Sequence, residues 1–108
     1  MSQAYSIGAT TFKSFVWIKG GTLFKNPSYL EIEVSSPGAF GVEVVRPDGS
    51  VAGKAQVPNP HGGWLTFTFR SGGQFGAGIS NGDYKIKLTN PSGSGERKVK
   101  EGRFEYDV

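Results

Sequence analysis

The chain has 108 residues, the size of one domain, and its 36% hydrophobic and 13% aromatic residues suffice to bury a core and exclude a disordered chain. Its formal charge is +3, with Lys and Arg interleaved among Glu and Asp almost throughout, unlike the concentrated positive stripe of a strong nucleic-acid binder. The absence of cysteine excludes disulfides, thiolate catalysis and thiolate metal sites, while 17 glycines and 6 prolines disfavour helices.

Seven segments read as extended and none as helical. The first covers residues 5–18, interrupted near residues 8–11, and ends in Phe12-Lys13-Ser14-Phe15-Val16-Trp17-Ile18. On a strand Phe15 and Trp17 share one face and Val16 and Ile18 the other, so both faces are apolar. Only one face of a strand in a two-layer sandwich meets the core. The other must be covered by a loop, by the chain's own terminus or by another molecule. Phe15 and Trp17 are therefore the candidate interface residues, for self-association or for a protein partner.

Residues 28–35 alternate cleanly, Leu30, Ile32 and Val34 against Glu31 and Glu33. Residues 40–46 and 50–57 flank Arg46-Pro47-Asp48-Gly49-Ser50, a hairpin turn in which Pro presets φ and Asp and Gly suit the tight corner. In residues 64–70, Leu65, Phe67 and Phe69 take the core side. Trp64, Thr66, Thr68 and Arg70 point the other way, a flat surface able to stack on and hydrogen-bond a sugar or to meet a partner. Trp64 can equally fold over the sheet end onto loop residues such as Pro60. The glycine-rich stretch 71–82 follows, with Phe75 and Ile79 as its sizeable apolar residues; a loop of that length is functional or mobile. Trp64, Thr66, Thr68 and Phe75 make up the candidate ligand-binding set.

Residues 83–89 set Tyr84, Ile86 and Leu88 against Lys85 and Lys87, and residues 98–108 set Phe104, Tyr106 and Val108 against Arg103, Glu105 and Asp107. Val99 is out of phase with Phe104, which predicts a bulge near Glu101-Gly102. Period two with one polar face means half-buried strands of antiparallel sheets. The expected fold is a single all-β, immunoglobulin-like antiparallel sandwich of about seven strands spanning residues 1–108. The order of the Pro-Asp-Gly hairpin, Gly63-Trp64, Gly82-Asp83-Tyr84-Lys85-Ile86 and Gly102-Arg103-Phe104-Glu105-Tyr106 resembles the immunoglobulin-like repeats of filamin, macroglobulin-type and bacterial surface proteins. That resemblance covers roughly residues 40–108 and implies fold rather than function. The cysteine pair of antibody-type domains is missing.

Catalysis finds little support. Gly78-Ile79-Ser80-Asn81-Gly82 matches the nucleophile-elbow spacing, but a strand rather than a helix follows, and the only histidine, His61, precedes the serine. Zinc lacks ligands, and the oxygen-rich triplets Asp48-Gly49-Ser50 and Asn81-Gly82-Asp83 are explained by turn chemistry. Gly38-Ala39-Phe40-Gly41-Val42 has the glycine–aromatic pattern of nucleic-acid-binding strands but no second aromatic. Neither Asn26-Pro27-Ser28 nor Asn90-Pro91-Ser92 is a glycosylation acceptor, because Pro holds the middle position. The start has no charged and apolar signal pattern, and no stretch approaches the roughly 18 apolar residues of a membrane span. The expectation is a non-catalytic interaction or assembly module, without metal or cofactor, of a cell-surface, appendage or virion protein rather than a cytoplasmic one. Carbohydrate binding is the second reading and nucleic-acid binding the third.

Overall fold

A computed structural model describes residues 2–59 and 61–108. Among the described residues ten strands form two antiparallel sheets: β1 (Ser2–Ile7), β2 (Thr10–Phe12), β3 (Phe15–Trp17), β4 (Phe24–Lys25), β5 (Pro27–Val34), β6 (Phe40–Val45), β7 (Val51–Val57), β8 (Gly63–Thr68), β9 (Asp83–Thr89) and β10 (Arg97–Asp107). Sheet one runs β1-β10-β5-β8 with β2 also on β10; sheet two runs β3-β9-β6-β7 with β4 also on β9. The six later segments anticipated from alternation each become one strand within two residues of their expected ends. Alternation is enough there because each strand buries one face against the other sheet.

The first segment behaves differently. Gly8 and Ala9 separate β1 from β2, and the corner at Lys13 and Ser14 then carries the chain from sheet one to sheet two. Asn90 fixes that corner: its backbone N–H donates to Ser14 O (2.8 Å) and its side-chain Nδ2 to Lys13 O (2.9 Å). A short 3-10 turn at Ile18–Gly21 follows, with Lys19 (φ 50°) and Gly20 (φ 64°) in the left-handed region. The N-terminal segment thus belts both sheets.

The expected antiparallel sandwich is therefore present, but its connectivity is not that of an immunoglobulin domain. There the last two strands pair within one sheet; here β9 and β10 lie in opposite sheets. With β1 and β2 counted as one strand and β3 and β4 as another, the two sheets have the eight-strand arrangement of a jelly roll.

Local predictions map closely. Gly49 sits at φ 94° in the Pro-Asp-Gly turn, its N–H donating to Arg46 O (2.9 Å), and Asp48 Oδ1 accepts from Ser50 N (2.8 Å) and Ser50 Oγ (2.7 Å). The β10 register slips between Val99 and Glu101, leaving Lys100 as the extra residue of a bulge that brings Val99 and Phe104 to the same side. Leu30, Ile32, Val42, Val44, Phe67, Ile86 and Phe104 are fully buried between the sheets. A chain of ring contacts crosses the core: Tyr5 to Phe24 (6.0 Å), Phe24 to Phe104 (4.8 Å), Phe104 to Phe69 (5.8 Å) and Phe69 to Phe75 (5.0 Å). Phe40 is also fully buried, which removes it from any base-stacking surface.

Candidate functional site

The outer face of sheet two is built by register. Trp17 of β3 stands opposite Lys87 of β9, Lys87 opposite Glu43 of β6, and Glu43 opposite Lys54 of β7. One row along, Phe15, Thr89, Gly41 and Gln56 align in the same way. A Cβ at Gly41 would collide with the Thr89 hydroxyl, so glycine keeps the middle of that row shallow.

At the β3 edge, Phe15 is 47% exposed and Trp17 half-buried against Gly21. Their rings meet edge to face at 6.1 Å and 80°. Lys87 Nζ lies 4.6 Å from the Phe15 ring centroid and 4.9 Å from that of Trp17, and also 3.6 Å from Glu43 Oε1. Lys85 Nζ lies 6.0 Å from the Trp17 ring centroid. Cation–π attraction and the ion pair hold these long side chains over the rings. The result is an anchored aromatic pair inside a basic field, with Phe15 exposed and Trp17 partly covered by the turn at Gly21.

Beside it, where β1 gives way to β2, a cleft of about 270 Å³ is lined by Tyr5, Ile7, Thr10, Trp17, Lys19 and Gly20, among others. Lys19 Nζ lies 5.5 Å from the Tyr5 ring centroid. Among the described residues, the Tyr5 and Thr10 hydroxyls and the Trp17 indole N–H make no hydrogen bond within the chain. Trp17 thus belongs both to the face and to the cleft.

The other candidate set does not converge as a unit. Trp64, 53% exposed, pairs across the sheet with Glu33, Thr66 with Glu31 and Thr68 with Tyr29 on the outer face of sheet one. Pro60 lies outside the described residues. Phe75 points inward instead: it stacks on Phe69 at 5.0 Å and 21°, and with Ile79 fills the space left by Gly53 of β7. Its place is in packing because the glycine-rich loop folds back over the sandwich. The intervening Gln74 closes the free edge of β8, accepting from Thr68 N (3.0 Å) and donating to Thr66 O (2.8 Å) as a neighbouring strand would.

Electrostatics distinguish the two outer faces. On sheet one, Tyr29 donates to Glu31 Oε2 (3.2 Å). Its phenol is pushed up from the ordinary value by burial first, then by the charge and hydrogen bond of Glu31 and by Glu105. Sequence reasoning identified Phe15 and Trp17 through their two-faced strand. It missed Lys85, Lys87 and Tyr5 as their neighbours; alternation put both lysines on an outer face, but which strand pairs with β3 is a tertiary fact.

No protein-family model matches the chain, and no curated protein matches its sequence. Solved structures do share the fold. A Streptococcus pneumoniae fucose-binding module superposes with a TM-score of 0.58 at 15% identity, covering 89% of this chain and 69% of that one. FlgD from Xanthomonas campestris, described in connection with hook capping in flagellar assembly, gives 0.52 at 15% identity over 94% of this chain and 68% of its own. A family two carbohydrate esterase from Cellvibrio japonicus gives 0.50 at 12% identity, with 99% of this chain spanning 35% of that protein. At these identities the likeness establishes a β-sandwich domain and leaves the chemistry to the residues.

Proposed function

We propose that this domain is a non-catalytic assembly module that docks a protein partner through the outer face of sheet two, with Phe15 and Trp17 as anchors. The observation that carries this reading is the Phe15–Trp17 pair on the outer face, Phe15 exposed and Trp17 partly so. Large exposed rings set in a rigid sheet and rimmed by charge are the usual make-up of an interface centre, where a few aromatic residues dominate the binding energy. A flagellar assembly protein among the similar structures is compatible with this, as is a location in a surface, appendage or virion assembly. Among the described residues, no helix is long and apolar enough to cross a membrane.

The test is photocross-linking in source cells from a photoreactive phenylalanine at position 15, with position 48 in the Pro-Asp-Gly turn as control. The expected result is a protein adduct from position 15 alone, identifiable by peptide sequencing and abolished by Trp17→Thr. Absence of a protein adduct at position 15, or equal adducts from both positions, overturns the reading.

Carbohydrate binding is the second reading. It is favoured by the cleft between Tyr5 and Trp17, whose unengaged hydroxyls and indole N–H offer hydrogen bonds beside two aromatic walls. The exposed Trp64, Thr66 and Thr68 form the alternative sugar platform. A glycan array with Trp17→Ala and Trp64→Ala separates the two sites. Binding lost only in Trp17→Ala assigns the cleft, binding lost only in Trp64→Ala assigns the platform, and no glycan bound by the wild type ends this reading.

A further inference from the structure

The broad sides of this sandwich carry opposite charge. On the outer face of sheet one, Glu31 and Glu33 of β5 align with Arg103 and Glu101 of β10, and Glu105 follows beside Tyr29. Arg103 is the one cation within that group, and its Nε is engaged with Glu105 Oε2 at 3.1 Å. Asp107 at the strand's end pairs with Arg70 (3.1 Å), while Lys98 and Lys100 lie beyond the acidic group at the start of β10. The Tyr29 phenol is raised by burial first, and Glu31 and Glu105 add to that shift. On the outer face of sheet two the balance reverses: Lys25, Lys54, Lys85 and Lys87 outnumber two acids, Glu43, which Lys87 already engages, and Asp83, which stands opposite Lys25 at the start of β9.

We infer that the occupant of the Phe15–Trp17 face is a second copy of this chain, presenting the acidic outer face of its own sheet one in a front-to-back stack. This rests on the reading of sheet two as a docking face. Two copies meeting through like faces would set Lys85 and Lys87 against their own counterparts, or Glu31 and Glu33 against theirs, and like charges juxtaposed at an interface are strongly disfavoured. Only the unlike pairing brings Lys54, Lys85 and Lys87 onto Glu31, Glu33, Glu101 and Glu105. Apart from Lys54 on the edge strand β7, these charges are carried by strands in the middle of each sheet, so little backbone ordering accompanies association.

The available area is adequate. The broad side of a domain with extents of 34 × 26 × 23 Å is of the order of the roughly 800 Å² per partner that a standard interface buries. Because the two contacting surfaces differ, a pair of copies keeps one free face of each kind, and the contact propagates as a ring or filament rather than closing as a twofold dimer. Exposed charge pairs are screened by salt, so association by this route weakens as ionic strength rises.

The experiment is sedimentation velocity over a protein concentration series at low and high NaCl, with circular dichroism confirming that every variant is folded. The wild type is expected to associate at low salt and to dissociate at high salt. Lys85→Glu/Lys87→Glu, with acid on both faces, and Glu31→Lys/Glu33→Lys, with base on both, are each expected to sediment as monomers. Their equimolar mixture is expected to associate again, since each now presents the complement of the other. A wild type that stays monomeric at low salt, association that charge reversal leaves unchanged, or a mixture that remains monomeric overturns the inference. If Phe15→Ser/Trp17→Thr abolishes association while Glu31→Lys/Glu33→Lys leaves it intact, the docking face survives and the acidic face is not its occupant. A photocross-link from position 15 to a different protein has the same consequence.

Discussion

Asn90 is the residue on which the corner between the sheets depends. Its Nδ2 donates to Lys13 O (2.9 Å), Ser94 O (3.0 Å) and Gly95 O (3.3 Å), while its Oδ1 accepts from Ser92 N (3.1 Å) and Ser92 Oγ (2.7 Å). Truncation to Ala strands part-buried carbonyls on two separate segments. Asn90→Ala should therefore destabilise the fold by about 1–3 kcal/mol in urea unfolding, the range for unsatisfied buried polar groups. A near-zero change would show that water replaces the amide. None of this was legible in Asn90-Pro91-Ser92 beyond a turn, because the decisive acceptor at Lys13 is 77 residues away in sequence. Tyr29 gives a second test at this scale. Its folded value lies above the ordinary 10.0, so the folded state holds the proton longer than the unfolded chain does. Its contribution is complete below about pH 10 and is lost as pH rises through the folded value. Phenolate absorbance should show one tyrosine titrating late, absent in Tyr29→Phe. Glu31→Gln should lower it only in part, since burial is the larger cause.

At the scale of elements, the glycine-rich stretch after β8 is folded where composition alone suggested mobility. Ile79 N donates to Phe69 O at 2.7 Å and Gly72 N to Gly76 O at 3.0 Å, while Phe75 and Ile79 pack over Gly53. The Ile79 amide should accordingly exchange slowly, unlike amides of the exposed segment around Ser94. A Cβ at Gly53 would lie 2.7 Å from Ile79 Cδ1. Gly53→Val should then push the loop outward, with a loss of about 1–3 kcal/mol typical of overpacking and faster exchange at Ile79. Unchanged exchange there would mean that Ile79 moves aside without disturbing its backbone. Strands with one buried face announced themselves through alternation, and so did the β10 bulge through its break in phase. β4 did not: Phe24 is a lone apolar core residue in Leu23-Phe24-Lys25, and its burial comes from Tyr5, Phe104 and Tyr106. Phe15 and Trp17 were legible as an unassigned apolar face; the lysines over them were not, because cross-strand neighbours depend on strand order.

For the whole molecule, strand order makes the N-terminal belt essential. β10 is the longest strand, and its two sides are occupied by β5 and by β1 with β2. Loss of residues 2–12 would remove β1 and β2 together, along with the core contacts of Tyr5, Ile7 and Phe12. It would also leave a long stretch of β10 donors and acceptors unpaired, and such an edge templates pairing with other chains. The truncated chain should therefore lose cooperative unfolding and form β-rich aggregates whose amount grows with concentration. This differs from the charge-driven stack of the intact chain, because edge pairing through backbone hydrogen bonds should persist at high salt. Light scattering and circular dichroism of the truncated chain at low and high NaCl distinguish the two. A truncated chain that stays monomeric and unfolds cooperatively would show that sheet one is complete without its belt, and that the segment crosses both sheets chiefly to present Phe15 and Trp17.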